Sequence, residues 1–246
     1  MITKAVILAG GKGTRLANPD IPKSMVMLNG KPVLANIFSI LKKSGITEVF
    51  LIVNYLKDQI VDYFGNEYLG IKINYLDDGQ LLKLDRKPGI ADVLGIMDQR
   101  INEPFVMMLG DEVYIGTDHE SLIKSFDGNP IIGVMHVSDP DLIKKNYTLS
   151  VDDYFNVFDL EEKPEAPWND LLGCGTYIFT PDVFTHIRNT PLSPKTARKE
   201  ITDTLKVIAS NGVLRAFDLR GHYVNINYPD DIFNAEELFR KVFKSV

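Results

Sequence analysis

Cysteine is nearly absent: Cys174 is the only one in 246 residues. No intramolecular disulfide can form, and a reducing compartment is expected. Between Gly173 and Gly175, Cys174 reads as a small packed residue rather than a nucleophile. The four histidines, His119, His136, His186 and His222, have no metal-ligand spacing, which argues against a zinc site. Positive charge is in the minority, with 27 lysines and arginines against 33 aspartates and glutamates. A formal net charge of −6 speaks against nucleic acid or an anionic membrane as a partner. No apolar run approaches the ~20 residues of a membrane span. A strand beginning at Ala5 leaves no room for a cleavable leader. These absences predict a cytoplasmic protein. There is no internal repeat and no low-complexity segment, and the length suits one large α/β domain with a full core.

What the chain does have is concentrated at its start. Ala5-Val6-Ile7-Leu8 reads as a buried strand that stops at glycines. Gly10, Gly11 and Gly13 then make a turn whose backbone N–H groups can face one anion without Cβ interference. Lys12, Arg15 and Lys23 add cations, and Thr14 a hydroxyl. A strand running into such a turn suits a polyphosphate, which needs close backbone approach and charge compensation. The spacing is neither the GxxxxGK[ST] of a P-loop nor the GxGxxG of a dinucleotide fingerprint.

Further along, Pro32 is placed to open a helix, with apolar residues from Val33 to Leu41 at helical spacing and Gly45 as its stop. Val49–Val53 is a near-continuous apolar strand, residues 57–64 a short helix, and Ile71–Tyr75 a further strand. This alternation predicts a doubly wound parallel sheet, with ligands beyond the carboxyl ends of its strands. Residues 76–88 are polar and turn-rich, and read as a loop or an extra hairpin over a nucleotide. Phe105–Leu109 is another buried strand, ending at Gly110-Asp111, where a carboxylate is well placed to meet a metal–triphosphate. Asp118–Phe126 is expected to be helical with His119 exposed, and Ile131–Val137 to be a strand. From Tyr147 the pattern changes to strands without long helices between them: Tyr147–Val151, Phe155–Leu160 and Cys174–Phe179. A mixed, partly antiparallel lobe is expected there. Ala197–Ser210 reads as a helix, Val213–Leu219 and Tyr223–Ile226 as strands, and Pro229 opens an amphipathic helix to the C-terminus.

The opening block resembles the sugar-1-phosphate nucleotidyltransferases, whose signature is L-[AG]-[AG]-G-x-G-[ST]-R-[LM] followed by P-K. Leu8–Leu16 matches each specified position, and Pro22-Lys23 follows, with Ser24 where many members have proline. Leu28–Leu34, Gly110-Asp111, Glu161-Glu162-Lys163-Pro164, Gly173–Phe179 and Glu200–Asp203 match further family motifs, so the resemblance covers nearly the whole chain. Tyr223–Asp231 corresponds to W-x-D-I-G-T-P-E-D, with Asn225 replacing the usual second metal aspartate. Such an asparagine looks like the uridylyltransferase pattern, as does the short spacing between Leu16 and Pro22.

The resemblance implies an α/β fold: a Rossmann-like, mostly parallel central sheet with helices on both faces and a mixed sugar-binding lobe. It implies a single domain over 1–246, with a nucleotide-binding half of about 1–137 and a sugar-binding half of about 138–246. Leu8, Ala9, Gly10, Gly11, Gly13, Thr14, Gln80 and Gly89 would meet the nucleotide, Gly89 lying against the base. Glu162 would bind sugar hydroxyls, and the backbone near Thr148, with Gly175, would line the sugar pocket. Trp168 either stacks on a sugar or packs against the lobe. Asp111 and Asn225 would ligate Mg²⁺.

The implied reaction joins an NTP and a sugar 1-phosphate into an NDP-sugar and pyrophosphate. The attacking phosphate oxygen is already ionised, so the difficulty is repulsion: about 4 kcal/mol for unit charges ~4 Å apart at an effective dielectric near 20. Arg15 would act on the leaving pyrophosphate, Lys23 on the α-phosphate and Lys163 on the sugar phosphate. Three alternatives stay open at this point: transfer to a phosphorylated non-sugar alcohol; a non-catalytic ligand-sensing relative, which should have lost Arg15, Lys23 or Lys163, all present here; and a glycosyltransferase on a similar sheet. Against the last stand the G-x-G-T-R block and the absence of a D-x-D triplet around Asp111. The sequence leaves homo-oligomerisation open.

Overall fold

The computed structural model describes residues 1–16 and 19–243. The chain opens with β1 (Lys4–Leu8), β2 (Met27–Leu28), β3 (Lys31–Pro32), α1 (Val33–Lys43), β4 (Glu48–Val53), α2 (Lys57–Phe64), β5 (Glu67–Tyr68) and β6 (Ile71–Asp77). Then come α3 (Ile90–Gly95), β7 (Phe105–Leu109), β8 (Glu112–Ile115), α4 (His119–Lys124), β9 (Ile131–His136) and α5 (Pro140–Lys145). The remainder is β10 (Tyr147–Val151), β11 (Val157–Glu162), β12 (Leu171–Phe179), α6 (Val183–Asn189), α7 (Ile201–Ser210), β13 (Arg215–Asp218), β14 (His222–Asn225) and α8 (Pro229–Phe243). Two compact units emerge, neither contiguous in sequence. One comprises Met1–Asp77, Met107–Lys124 and Arg220 onward; the other comprises Asp78–Val106 and Ser125–Leu219.

In the first unit β1 and β4 run parallel, Lys4 opposite Glu48 and Leu8 opposite Ile52, and β6 continues the parallel array beyond β4. The strand order is β7-β1-β4-β6-β5. Ala5, Val6 and Ile7 are fully buried, as a parallel strand covered on both faces requires. Helix α1 starts directly after Pro32 and buries Val33, Leu34, Ile37, Phe38 and Leu41. Phe38 stacks on Phe64 of α2 at 5.1 Å between centroids, and Tyr68 meets both rings edge-on. A separate antiparallel ribbon pairs β8 with β14, setting Glu112 opposite Asn225. Val113, Ile115 and Ile226 pack there with Leu16, Leu28 and Val33, and with Ile232 and Leu238 of α8.

In the second unit β10 pairs antiparallel with β11 and β12, β12 antiparallel with β9, and β9 parallel with β13. This is the mixed lobe expected after Tyr147. All nine residues of β12 are buried, Cys174 among them as a packed thiol. A Cβ on Gly173 would lie 1.9 Å from the Tyr147 ring, so glycine there makes room for that tyrosine. The Tyr147 hydroxyl donates to the Cys174 carbonyl at 3.1 Å. Among the described residues, no helix is long and apolar enough to cross a membrane.

Several local expectations are corrected. Residues 76–88 form no hairpin: β6 runs to Asp77 and a 3₁₀ helix covers Asp78–Lys83. The helix expected from Ala197 begins only at Ile201. Ala197 has φ +55° and donates to the Ser193 carbonyl, while Ser193 donates to Arg198, so this stretch is a closed loop. Helix α4 covers His119–Lys124 rather than Asp118–Phe126, and Asp118 stands before it as its cap, accepting the Ser121 N–H at 3.0 Å. His119 is 3% exposed, not a surface residue. Short helices α5 and α6 were not anticipated. Strands β9, β13 and β14 each stop short of the expected ends, at His136, Asp218 and Asn225. The expected run of α8 to the C-terminus extends past the described residues.

Candidate active site

Strand β1 delivers the glycine turn. Ala9 donates to the Ile52 carbonyl at 2.8 Å, which holds the strand end in the sheet before the chain turns. Gly13 has φ +60°, and a Cβ there would come within 3.1 Å of Leu16 Cδ1 and 3.2 Å of Lys23 Cβ. Conformation and space both demand glycine. Gly11 differs: its Cβ would meet Lys23 at an ordinary 3.9 Å, so the fold itself does not require glycine there. At the end of β7, Gly110 donates to the Leu8 carbonyl at 2.8 Å, and a Cβ on it would sit 2.9 Å from that oxygen. This close passage sets Asp111 beside the turn.

Lys23 begins a short 3₁₀ helix (Lys23–Met25), its N–H directed to the Gly11 carbonyl at 3.3 Å. Its ammonium forms an ion pair with Asp111 Oδ2 and also donates to Asn227 Oδ1 at 2.9 Å. The Lys23 side chain is 12% exposed and that of Asp111 29%, so water screens the pair only in part. Asn225 reaches the same place through the backbone, since Ile226 donates to the Asp111 carbonyl at 3.0 Å. Asn225 Oδ1 is buried and has no hydrogen-bond partner among the described residues. An orphaned buried acceptor costs about 1–3 kcal/mol. A carboxylate and an amide oxygen are the donor types that Mg²⁺ takes, so Asp111 and Asn225 fit that ion. Among the described residues there is no group of three or more His, Cys, Asp or Glu side chains that could hold a metal.

Three other charged side chains belong to the glycine turn and to β8. Arg15 is exposed, its guanidinium 5.8 Å from the Tyr228 ring centroid, and Lys12 lies 5.6 Å from that of Tyr55. Glu112, only 1% exposed, accepts from the hydroxyls of Tyr114 at 2.5 Å and Tyr223 at 2.8 Å. Sequence reasoning missed both Glu112 and Asn227. The signal for Glu112 was a charged residue inside an apolar strand; for Asn227 it was an asparagine where the family pattern has glycine.

The second unit holds the other residues singled out in the sequence. Glu162 ends β11, accepts from the Thr202 hydroxyl, and lies 3.2 Å from the Lys163 ammonium. Lys163 itself is exposed and has φ +45°, a left-handed conformation held by its N–H bond to the Asn146 carbonyl at 2.7 Å. Thr148 is buried and its hydroxyl is used internally, on Asn169 Oδ1 at 2.9 Å and the Leu171 carbonyl at 3.2 Å. Gly175 is buried in β12. A cavity of about 280 Å³ is lined by Glu162, Trp168, Lys195 and Asp203; Trp168 is 44% exposed rather than packed away. Burial pushes the Asp203 carboxyl up from its ordinary pKa, and Glu200 adds to this.

Gly89 is buried, and a Cβ on it would fall 2.0 Å from the Lys199 carbonyl oxygen, so packing alone requires glycine. Gln80 is exposed on the 3₁₀ helix. Arg86 holds Asp92 through two bonds of 2.7 Å, and Gly89 donates to Asp92 at 2.8 Å. Burial pushes the Asp92 carboxyl up, but Arg86 and the Gly89 N–H outweigh it and hold the pKa below the ordinary value.

Comparison with known proteins identifies the family. The family described as "Nucleotidyl transferase" matches residues 4–241. The UTP–glucose-1-phosphate uridylyltransferase AglF of Haloferax volcanii is 30% identical over 239 residues, covering 95% of each chain. The D-glycero-alpha-D-manno-heptose 1-phosphate guanylyltransferase of Campylobacter jejuni is 32% identical, covering 94% of this chain and 97% of its own. In fold, a UDP-glucose pyrophosphorylase solved with UDP-glucose superposes with a TM-score of 0.85 at 22% identity, over 98% of this chain and 99% of that one. A glycine turn with its lysine on a strand-end aspartate, motifs along nearly the whole length, and matches of this extent lead to one assignment: the chain belongs to the nucleotidyl transferase family, in the group of sugar-1-phosphate nucleotidyltransferases.

Proposed function

We propose that the protein joins a nucleoside triphosphate and a sugar 1-phosphate into an NDP-sugar, releasing pyrophosphate. The observation that carries this reading is the Lys23–Asp111 ion pair, set against the glycine turn where β1 and β7 end. In a mostly parallel sheet that is where a ligand binds, and the pair supplies an ammonium for phosphate oxygens and a carboxylate for a cation.

On the first unit, the Gly10–Thr14 turn receives the triphosphate and Lys23 contacts its α-phosphate. Arg15, exposed and resting on Tyr228, turns to the departing pyrophosphate. Asp111 and Asn225 would hold Mg²⁺, which when bound neutralises phosphate charge there. On the second unit, Glu162 accepts from sugar hydroxyls and Lys163 takes the sugar phosphate. Thr148 contributes backbone only, since its hydroxyl is already used. The nucleophile is an ionised phosphate oxygen, so no side chain has to remove a proton. Positioning and charge compensation carry the rate. We read the chain as one functional domain in the cytoplasm; a single, buried cysteine, Cys174, held in no disulfide, is in keeping with that compartment.

A matrix of five NTPs against several sugar 1-phosphates, followed by pyrophosphate release, tests the proposal and identifies base and sugar together. The relatives named above use different bases, so selectivity for one NTP is expected without its identity being prescribed. Absence of pyrophosphate release from every pair, with phosphorylated non-sugar alcohols as further acceptors, would refute it.

A further inference from the structure

We infer that Asn227 is a positioning residue for Lys23, one that keeps the ammonium in the site when Asp111 is engaged by a cation. The inference rests on the triphosphate reading of the glycine turn. Lys23 has two acceptors of different kinds: the charged Oδ2 of Asp111 and the neutral Oδ1 of Asn227, at 2.9 Å. An ammonium and a divalent cation compete for the same carboxylate oxygen. With Asp111 alone, Lys23 would lose its anchor at the moment a metal–triphosphate arrives, and a long lysine chain would spread over its rotamers. The neutral amide oxygen of Asn227, already bonded to Lys23, attracts a cation less strongly than the Asp111 carboxylate and so stays with Lys23 in both situations.

The surrounding backbone is built to hold that amide still. Asp231, in the first turn of α8, accepts the N–H groups of Asn227 at 2.8 Å and Tyr228 at 2.7 Å, while Ile226 is tied to Asp111. Asn225 and Asn227 are two apart along this segment, flanking the buried Ile226. Asn225, next to the residue tied to Asp111, has a buried oxygen with no partner among the described residues, and Asn227 has an oxygen on Lys23. Two amides at this spacing divide the work, Asn225 toward the cation and Asn227 toward the lysine. Glycine, at this position in the family pattern, has no side chain to offer Lys23.

The test is a double-mutant cycle on nucleotide binding rather than on turnover. Calorimetric titration with UTP or GTP, whichever binds tighter, is run on the native protein, Asn227→Ala, Lys23→Met and the double variant, in EDTA and in Mg²⁺. Asn227→Ala should weaken binding by about tenfold, the effect of losing one hydrogen bond to a charged group. The loss should be larger in Mg²⁺ than in EDTA, and should vanish in the Lys23→Met background. Asn227→Gln, which keeps a neutral amide acceptor, should recover part of the lost affinity. The backbone links to Asp231 survive all these changes; Asn227→Ser, read the same way, replaces the alanine variant if that one does not fold. Equal losses with and without Lys23, or no loss at all, would overturn the inference while leaving the triphosphate site standing. If Lys23→Met itself leaves nucleotide affinity unchanged, the site reading falls and the inference with it.

Discussion

His119 should make the folded protein acid-sensitive, by an amount the structure allows to be worked out. It opens α4 but points inward, with its ring edge-on to Tyr114 at 4.7 Å and Nδ1 3.0 Å from the Thr117 hydroxyl. Burial pulls its pKa down to about 3, offset only partly by the charge of Asp118. In the unfolded chain a histidine titrates near pH 6.5, so below that pH the unfolded state takes a proton that the folded state refuses. The stabilising contribution is therefore complete above the unfolded value and is lost as pH falls from about 6.5 toward 3, at ~1.4 kcal/mol per unit. At pH 5.0 the loss is about 2 kcal/mol, a large share of the ~5–15 kcal/mol that holds a domain together. His119→Gln removes the titration while keeping a polar side chain. Urea unfolding at pH 7.5 and pH 5.0 should then show the native protein losing about 2 kcal/mol more than the variant, roughly a 1 M greater fall in midpoint. His136, His186 and His222 remain in both proteins and cancel. Parallel losses in the two would show that His119 accepts a proton while folded, and the argument from burial would be wrong.

Lys163→Ala should raise KM for the sugar phosphate about ten- to a hundredfold with little change for NTP, read from initial rates with each substrate varied; equal effects would remove Lys163 from the sugar side. Arg15→Ala should depress kcat while sugar-phosphate affinity stays nearly intact, which single-turnover and binding measurements separate. Asn225→Asp should retain turnover and move the Mg²⁺ optimum lower, because a second anion strengthens the site; superimposable Mg²⁺ titrations would take Asn225 out of it. Gly89→Ala should lower the unfolding midpoint even without nucleotide, by the ~1–3 kcal/mol typical of overpacking, since its Cβ has the Lys199 carbonyl in its way; an undisturbed midpoint would mean that this loop yields freely.

The fold was legible wherever periodicity alone decides structure. β1 and β4 were visible as apolar runs because a parallel strand covered on both faces has no polar side to interrupt them, β6 by the alternation of Ile71, Ile73 and Tyr75 with polar residues, and α1 because its buried positions recur at helical spacing. Reading failed where a tertiary contact overrode the local pattern. Residues 197–200 have helical composition, yet the chain there is closed by Ser193, and the Lys199 carbonyl accepts the N–H of Ala91, far away in sequence. His119 was misjudged because a polar residue on a short helix normally faces water, whereas here the Tyr114 ring and the Thr117 hydroxyl receive it inside. Residues 76–88 carry turn-forming composition that a hairpin and a 3₁₀ helix satisfy equally well.

For the candidate site the division falls between type and partner. Glycines, cations and the strand-end aspartate stand out by residue type, and the structure brings Lys23 and Asp111 together across 88 positions of sequence. A glycine is ambiguous in a way that only coordinates resolve. Gly13 and Gly89 are demanded by the protein's own atoms, whereas Gly11 has room for a Cβ and would need to be glycine only if a ligand lies there. That makes Gly11 the more informative position to mutate. Gly11→Ala should fold normally, because the added Cβ meets Lys23 at a comfortable 3.9 Å. It should nevertheless weaken NTP binding if the triphosphate presses against this turn. Thermal unfolding paired with nucleotide titration separates the two demands: unchanged stability with lost affinity assigns the glycine to the ligand, and unchanged affinity moves the phosphates elsewhere.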